Sequence, residues 1–154
     1  MRTFVESNER KDSETFNVNR CIENSLLLIA SELKTISAVH TTLGEVPDIR
    51  GSAGKFNQIV VNLLMNAIHA MGENGRLEVR TQMVSHTLKD ATISSFIVIT
   101  IKDNGCGISA QNIDKLFEPF YTTKPVGEGM GLGLYITFTL IESLGGTISV
   151  NSEL

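Results

Sequence analysis

Two asparagines four residues apart, Asn62 and Asn66, stand in the stretch Gln58-Ile-Val-Val-Asn62-Leu-Leu-Met-Asn66-Ala-Ile-His69-Ala-Met71. At helical spacing they share one polar stripe with Gln58 and His69, since residues at i, i+4, i+8 and i+11 lie on one helix face. An amide carbonyl oxygen is a neutral hard ligand that suits Mg2+, which keeps several waters and takes few protein ligands. Two readings of the stripe stand: a face for metal and phosphate, or the solvated side of an amphipathic helix. Amides in place of the Lys and Glu of a generic exposed face, and strongly apolar flanks, favour the first.

A second group, Asp103-Asn-Gly105-Cys-Gly107, follows a β-branched run. Ile97, Ile99 and Ile101 share the parity of Asp103, so its carboxylate is expected to extend from the buried face of a strand. A buried carboxylate needs a strong donor. The exocyclic amine of adenine supplies one, and an acceptor-only group there selects adenine over guanine. Gly105 and Gly107 let the backbone turn tightly and let a flat base approach. Asp-Asn-Gly is also ordinary Asx-turn chemistry, and that reading stays open beside the first.

The third group, Gly127-Glu-Gly129-Met-Gly131-Leu-Gly133-Leu134, alternates glycine with larger residues just before an apolar helical pattern. Exposed amides at a helix start suit phosphate, and glycines remove side chains that block its approach. No Gly-Lys-Ser/Thr ending is present, and a Pro-containing loop precedes in place of a strand, which disfavours a P-loop and a Rossmann crossover. A glycine hinge is compatible with both roles, because a loop that closes over a nucleotide needs hinges. The order and spacing of the three groups point to a magnesium nucleotide.

The elements that position them follow from periodicity. Val18, Ile22, Leu26, Ile29 and Leu33 recur at helical spacing, predicting a helix over 17–36. A short strand and turn are expected over 41–49, broken by Gly44 and Pro47. The next helix, 56–71, buries Phe56, Ile59, Val60, Leu63, Leu64, Ala67 and Met71 and ends at Gly72-Glu-Asn-Gly75. Strands are expected over 76–84 and 95–102, with a polar loop at 85–92 between them. A helical turn at 114–117, a mobile loop over 118–130, a helix over 132–144 stopped by Gly145-Gly146, and a strand from 147 to 150 complete the chain. Residues 1–15 read as a linker or cut end, leaving one domain at 16–154. Long helices interleaved with strands in mixed order give an α/β fold, a two-layer sandwich with one mixed sheet and helices packed on one face.

Bulk properties narrow the function classes. With 154 residues the chain can bury a sizeable core as one domain. A net charge of −4, with no long Lys/Arg block, argues against nucleic acid as a partner. No run reaches the ~20 apolar residues that span a bilayer, and no signal peptide is visible, so a cytoplasmic setting is expected. Cys21 and Cys106 are far apart and suggest no disulfide framework, which fits a reduced compartment. The three histidines (His40, His69, His86) make no metal-ligand spacing with them, and no Ser or Cys nucleophile arrangement is seen. His69 is near the expected phosphates, and contact with them and an incidental helix position are equally supported.

Taken together, these residues resemble the catalytic ATP-binding domain of sensor histidine kinases, in the superfamily with gyrase-type, heat-shock-protein-90-type and mismatch-repair ATPases. The resemblance spans roughly residues 16–154. Residues 58–71 resemble the N box and 103–107 the G1 box. Leu116-Phe-Glu-Pro-Phe120-Tyr-Thr-Thr-Lys124 resembles the F box, and 129–134 the G2 box.

The resemblance implies a Bergerat-type ATP-binding fold and ATP with Mg2+ as ligands. It implies that Asn66 coordinates Mg2+, with Asn62 assisting at phosphate or at a metal-bound water. Asp103 binds the adenine amino group, with Gly105 and Gly107 shaping that pocket. Phe117 and Phe120 anchor a lid from which Lys124 reaches toward phosphate. Gly129, Gly131 and Gly133 form the hinge and triphosphate-facing turn, and Leu132 belongs with them among the nucleotide-binding residues. Related ATPases place a glutamate four residues before the metal-binding asparagine to activate water. Asn62 stands there, and an amide cannot serve as a general base. The resemblance therefore implies a module that holds ATP for transfer of its γ-phosphoryl to a histidine, by positioning and charge stabilisation.

The sequence departs from the family's pattern in two places. None of His40, His69 or His86 is followed by Asp or Glu, and no helical hairpin precedes residue 16, so a separate upstream phosphoacceptor and dimerisation domain is expected. This chain alone would then not autophosphorylate. The family also continues past a stretch like Gly146-Thr-Ile-Ser-Val-Asn-Ser-Glu153 into another strand with a Gly-Thr pair, so a truncated C-terminal strand and an exposed sheet edge are expected. Expected partners are ATP, that acceptor domain and a response-regulator receiver domain, in a homodimeric parent whose anchorage in the inner membrane stays open. A nucleotide-dependent interaction module, or an ATPase without histidine phosphorylation, is the alternative.

Overall fold

Ser52 starts the longest helix by turning its hydroxyl onto the Lys55 amide (3.2 Å), pairing one of the donors a first turn leaves open. A computed structural model of the chain describes residues 2–5, 14–87, 89–113, 115 and 133–152. In chain order these form β1 (Arg2–Val5), β2 (Thr15–Phe16), α1 (Val18–Leu28), α2 (Ala30–Leu33), β3 (Ala38–Leu43), β4 (Ile49–Arg50), α3 (Ala53–His69), β5 (Arg76–Thr87), β6 (Ile93–Asp103), α4 (Ala110–Ile113), α5 (Gly133–Ser143) and β7 (Thr147–Ser149).

The main sheet has the order β3-β5-β6-β1-β7, with β3 parallel to β5 and the other neighbours antiparallel. It is a mixed sheet, as expected. A small ladder of β2 and β4 stands apart from it. Helices α1, α3 and α5 cover one face, with α3 packed against both of the others. Phe56, Ile59, Val60, Leu63, Leu64 and Ala67 are buried as read from the sequence; Ile68 joins them, while Met71 lies past the end of α3 and is only partly buried against the core. From the sheet, Leu77, Val79, Ile97, Ile99 and Ile101 meet them, and Phe16 stacks on Phe56 at 5.1 Å between ring centroids.

Boundaries shift for local reasons. The first helix breaks at Ile29 and resumes as α2, ending at Leu33. β5 and β6 run on to Thr87 and from Ile93, so the polar loop is shorter than its composition suggests. Serines can pair across strands as they do in loops, and Ser85 and Ser95 meet at 3.1 Å. α5 ends as expected, with Gly146 N reaching back to Ile141 O at 3.0 Å.

The N-terminal stretch differs from the linker expectation. Arg2–Val5 is an inner strand, with Thr3 opposite Ile99 and opposite Ile148, and Val5 opposite Ile97. The polar run that suggested a linker begins only at Glu6. Four residues are too few for period-two alternation to stand out in a sequence. β7, three residues long, is one edge of the sheet and β3 the other.

One polar cluster under the helices is fully paired. The buried Thr81 hydroxyl donates to Asn19 Oδ1 (2.7 Å) and accepts from Gly44 N (3.1 Å), while Asn19 Nδ2 donates to Gly44 O (2.7 Å). It ties the start of α1 to the end of β3 and the middle of β5. Among the described residues no buried side-chain polar atom lacks a partner.

Candidate functional site

The amide stripe forms as expected along α3. Asn62 and Asn66 are half-buried, between the exposed Gln58 and the exposed His69 of the last turn. Asn62 faces α5, whose Thr137 hydroxyl lies 3.4 Å from Asn62 Nδ2. Asn62 is thus engaged across a helix–helix interface and is not simply solvated. The side-chain carbonyl oxygens of Asn62 and Asn66 meet no protein donor among the described residues.

Asp103 ends β6, and its register partner is the buried Leu77. Its parity is therefore the core-facing one, as read from Ile97, Ile99 and Ile101. The expectation of a buried carboxylate is corrected: Asp103 is exposed, because the core stops at Ile101 and the strand runs one position past it. Asp103 Oδ1 accepts from Gly105 N at 2.8 Å, which is the Asx turn. The turn uses one carboxylate oxygen and leaves the other as an acceptor, so the turn and a ligand role coexist.

The loop and the helix are joined directly. Cys106 N donates to Ala70 O (3.0 Å), the carbonyl just past α3. Gly105 makes that approach possible: a Cβ there would sit 2.3 Å from Ala70 O and 2.7 Å from Ala70 C. Gly107 takes φ +76°, a conformation L side chains rarely adopt. Asn104 fixes the loop from the other side, accepting from Arg76 N (2.8 Å) and donating to Asn74 O (3.2 Å). Ile108 N then donates to Ser152 Oγ at 2.8 Å.

The structure thus brings the asparagine helix, the Asp103–Gly107 turn and the N-terminal half of α5 to one end of the fold. Gly133 is the first residue of α5. Phe117, Phe120, Lys124, Gly129, Gly131 and Leu132 lie outside the described residues, as do Gly127 and the loop expected over 118–130.

The donor chemistry fits a magnesium nucleotide. Among the described residues no three His, Cys, Asp or Glu side chains converge as a metal cage. Neutral amide oxygens with open lone pairs suit an ion that arrives with its own phosphate and water ligands. Cys21 is buried, and that burial pushes its thiol pKa up, while Cys106 is exposed at the turn.

Sequence reasoning missed Asn104, Ala70 and Thr137. Asp-Asn-Gly signals a turn, and a both-ends-paired Asn104 could have been suspected there. Ala70 acts through its backbone carbonyl, which no side-chain pattern reports. Thr137 sits in an apolar helix with nothing in its neighbours to mark it.

Comparisons with known proteins agree with this arrangement. The family model for histidine kinase-, DNA gyrase B-, and HSP90-like ATPases matches residues 51–154. The sensor histidine kinase ZraS of Escherichia coli (strain K12) is 32% identical over 142 residues, covering 91% of this chain and 28% of that protein. The sensor kinase CckA of Brucella abortus (strain 2308) is 38% identical over 111 residues, covering 68% of this chain and 12% of that protein. The structure of a mycobacterial sensor histidine kinase, MprB, superposes with a TM-score of 0.68 at 25% identity, over 86% of this chain and 80% of that one. The chain spans under a third of the length of these two curated relatives.

Proposed function

The chain belongs to the histidine kinase-, DNA gyrase B-, and HSP90-like ATPase family, and from that premise we propose that it holds Mg-ATP and presents the γ-phosphoryl to a histidine on a separate domain. Within the family it is of the sensor-histidine-kinase type. The observation that carries the reading is the junction of α3 with the Asp103 turn. Open amide oxygens on the helix and an open carboxylate oxygen on the turn are held in one frame by the Cys106–Ala70 bond.

In this reading the Asp103 carboxylate accepts from the adenine amine, and Gly105 and Gly107 leave room for the ring. Asn66 offers Oδ1 to the metal, with Asn62 beside it. His69, Phe117, Phe120, Lys124, Gly129, Gly131, Leu132 and Gly133 supply the remaining nucleotide contacts and the closing segment. Bound Mg2+ supplies charge neutralisation for the phosphates; the residues themselves bind and orient. The Asn62 amide has no basic lone pair with which to take a proton, so water is not activated from that position, which favours transfer over hydrolysis. The acceptor histidine, a receiver domain that takes the phosphate onward, and a homodimeric parent complete the proposal. Among the described residues no helix is long and apolar enough to cross a membrane.

The test is calorimetric titration of the chain with a non-hydrolysable ATP analogue, with and without Mg2+, against the GTP analogue. Magnesium-dependent, adenine-selective binding is expected. Equal binding of both bases, or none at all, overturns the assignment.

A further inference from the structure

An asparagine amide has two opposite ends, an NH2 that donates and a carbonyl that accepts. Which end Asn62 presents to a ligand decides what it can hold. A phosphate oxygen accepts and requires the NH2, whereas a metal ion or its bound water requires the carbonyl oxygen. Across the α3–α5 interface, Asn62 Nδ2 points its proton at Thr137 Oγ1, 3.4 Å away. Thr137 is wholly buried, so its hydroxyl is held in place by packing and is not exchanged for water. Nδ2 is thereby held at the helix–helix interface by one of its two protons, and Oδ1 is the end turned away from Thr137.

We propose that Thr137 is a positioning residue which fixes Asn62 carbonyl-outward, so that this asparagine serves the metal side of a bound metal–nucleotide. The inference rests on the magnesium-nucleotide reading given above. It also connects two segments far apart in sequence: Thr137 lies four residues into the helix that Gly133 opens, just after the glycine-rich run. Removing the hydroxyl frees the amide to rotate. Magnesium-free nucleotide then gains access to a donor, and the magnesium-loaded form loses an oriented acceptor.

The experiment compares wild type, Thr137→Val and Thr137→Ser in the full 154-residue chain. The quantity read is the ratio of affinities for a non-hydrolysable ATP analogue with and without Mg2+. In Thr137→Val, which keeps the side-chain volume, that ratio is expected to fall about fivefold, the size of one net hydrogen bond. Magnesium-free affinity should hold or rise. Thr137→Ser should restore the wild-type ratio. A second readout needs no nucleotide: the Asn62 side-chain amide signals in a 15N–1H spectrum should shift in Thr137→Val and return in Thr137→Ser. If the valine variant folds poorly, Thr137→Cys replaces it, lacking the hydroxyl at nearly the size of serine. A wild-type chain without magnesium enhancement overturns the nucleotide reading and this proposal with it. A wild-type enhancement that survives Thr137→Val within twofold, with unmoved Asn62 amide signals, overturns the proposal alone.

Discussion

Two asparagine clusters in this molecule look alike in composition and differ in closure. In the first, Asn19 uses both ends of its amide, giving Nδ2 to Gly44 O and taking the Thr81 proton on Oδ1. Asn104 is closed in the same way by Arg76 N and Asn74 O. In the second, Asn62 uses only its NH2, and Asn66 makes no side-chain hydrogen bond among the described residues. A closed amide holds backbone segments together and has nothing left to give. An open, half-shielded amide on a well-packed helix keeps its acceptor for a ligand. The difference separates a structural polar cluster from a binding one without reference to which residue types are present.

Substitutions should therefore divide cleanly between stability and binding. The largest expected effect is at the closed cluster. Thr81→Val orphans the half-buried Asn19 Oδ1, while Gly44 N keeps its bond to the Thr81 carbonyl (3.1 Å), for a loss of about 1–3 kcal/mol. Denaturant unfolding measures it, with nucleotide affinity of the folded protein staying within twofold; a midpoint unchanged from wild type would mean the cluster is not what ties α1 to the sheet.

Next is Asp103→Asn. Its Oδ1 can still accept from Gly105 N, so the turn and the melting temperature should survive, while loss of the charged acceptor weakens adenine-nucleotide binding by about 1–3 kcal/mol. Wild-type affinity in a folded variant removes Asp103 from the pocket. The smallest change in stability is expected from Asn66→Ala, within about 0.5 kcal/mol, because no hydrogen bond among the described residues is lost. It should abolish the dependence of nucleotide affinity on Mg2+. A magnesium dependence that persists would place the metal contact on another residue and blur the contrast between open and closed amides.

The sequence by itself determined the frame. Period 3.6 in 56–71 placed Phe56, Ile59, Val60, Leu63 and Leu64 inside and the amides on the other face, because a helix has only one way to wind that pattern. Period two along β6 assigned Asp103 its face, and the glycine spacing marked the turn. Four motifs in order then fixed the family. The tertiary structure alone decided the rest. Whether Asp103 is buried depends on where the core ends, a property of the packed sheet and not of strand parity. Gly105 is required by the carbonyl of Ala70, 35 residues earlier in the chain, so the reason for that glycine is invisible locally. The place of Arg2–Val5 between β6 and β7 is set by ladder pairing with strands roughly a hundred or more residues away. Closure of an amide, finally, is a relation between two groups in space: nothing in the residues around Asn19 or Asn62 states that one meets Thr81 and Gly44 and the other, among the described residues, Thr137 alone.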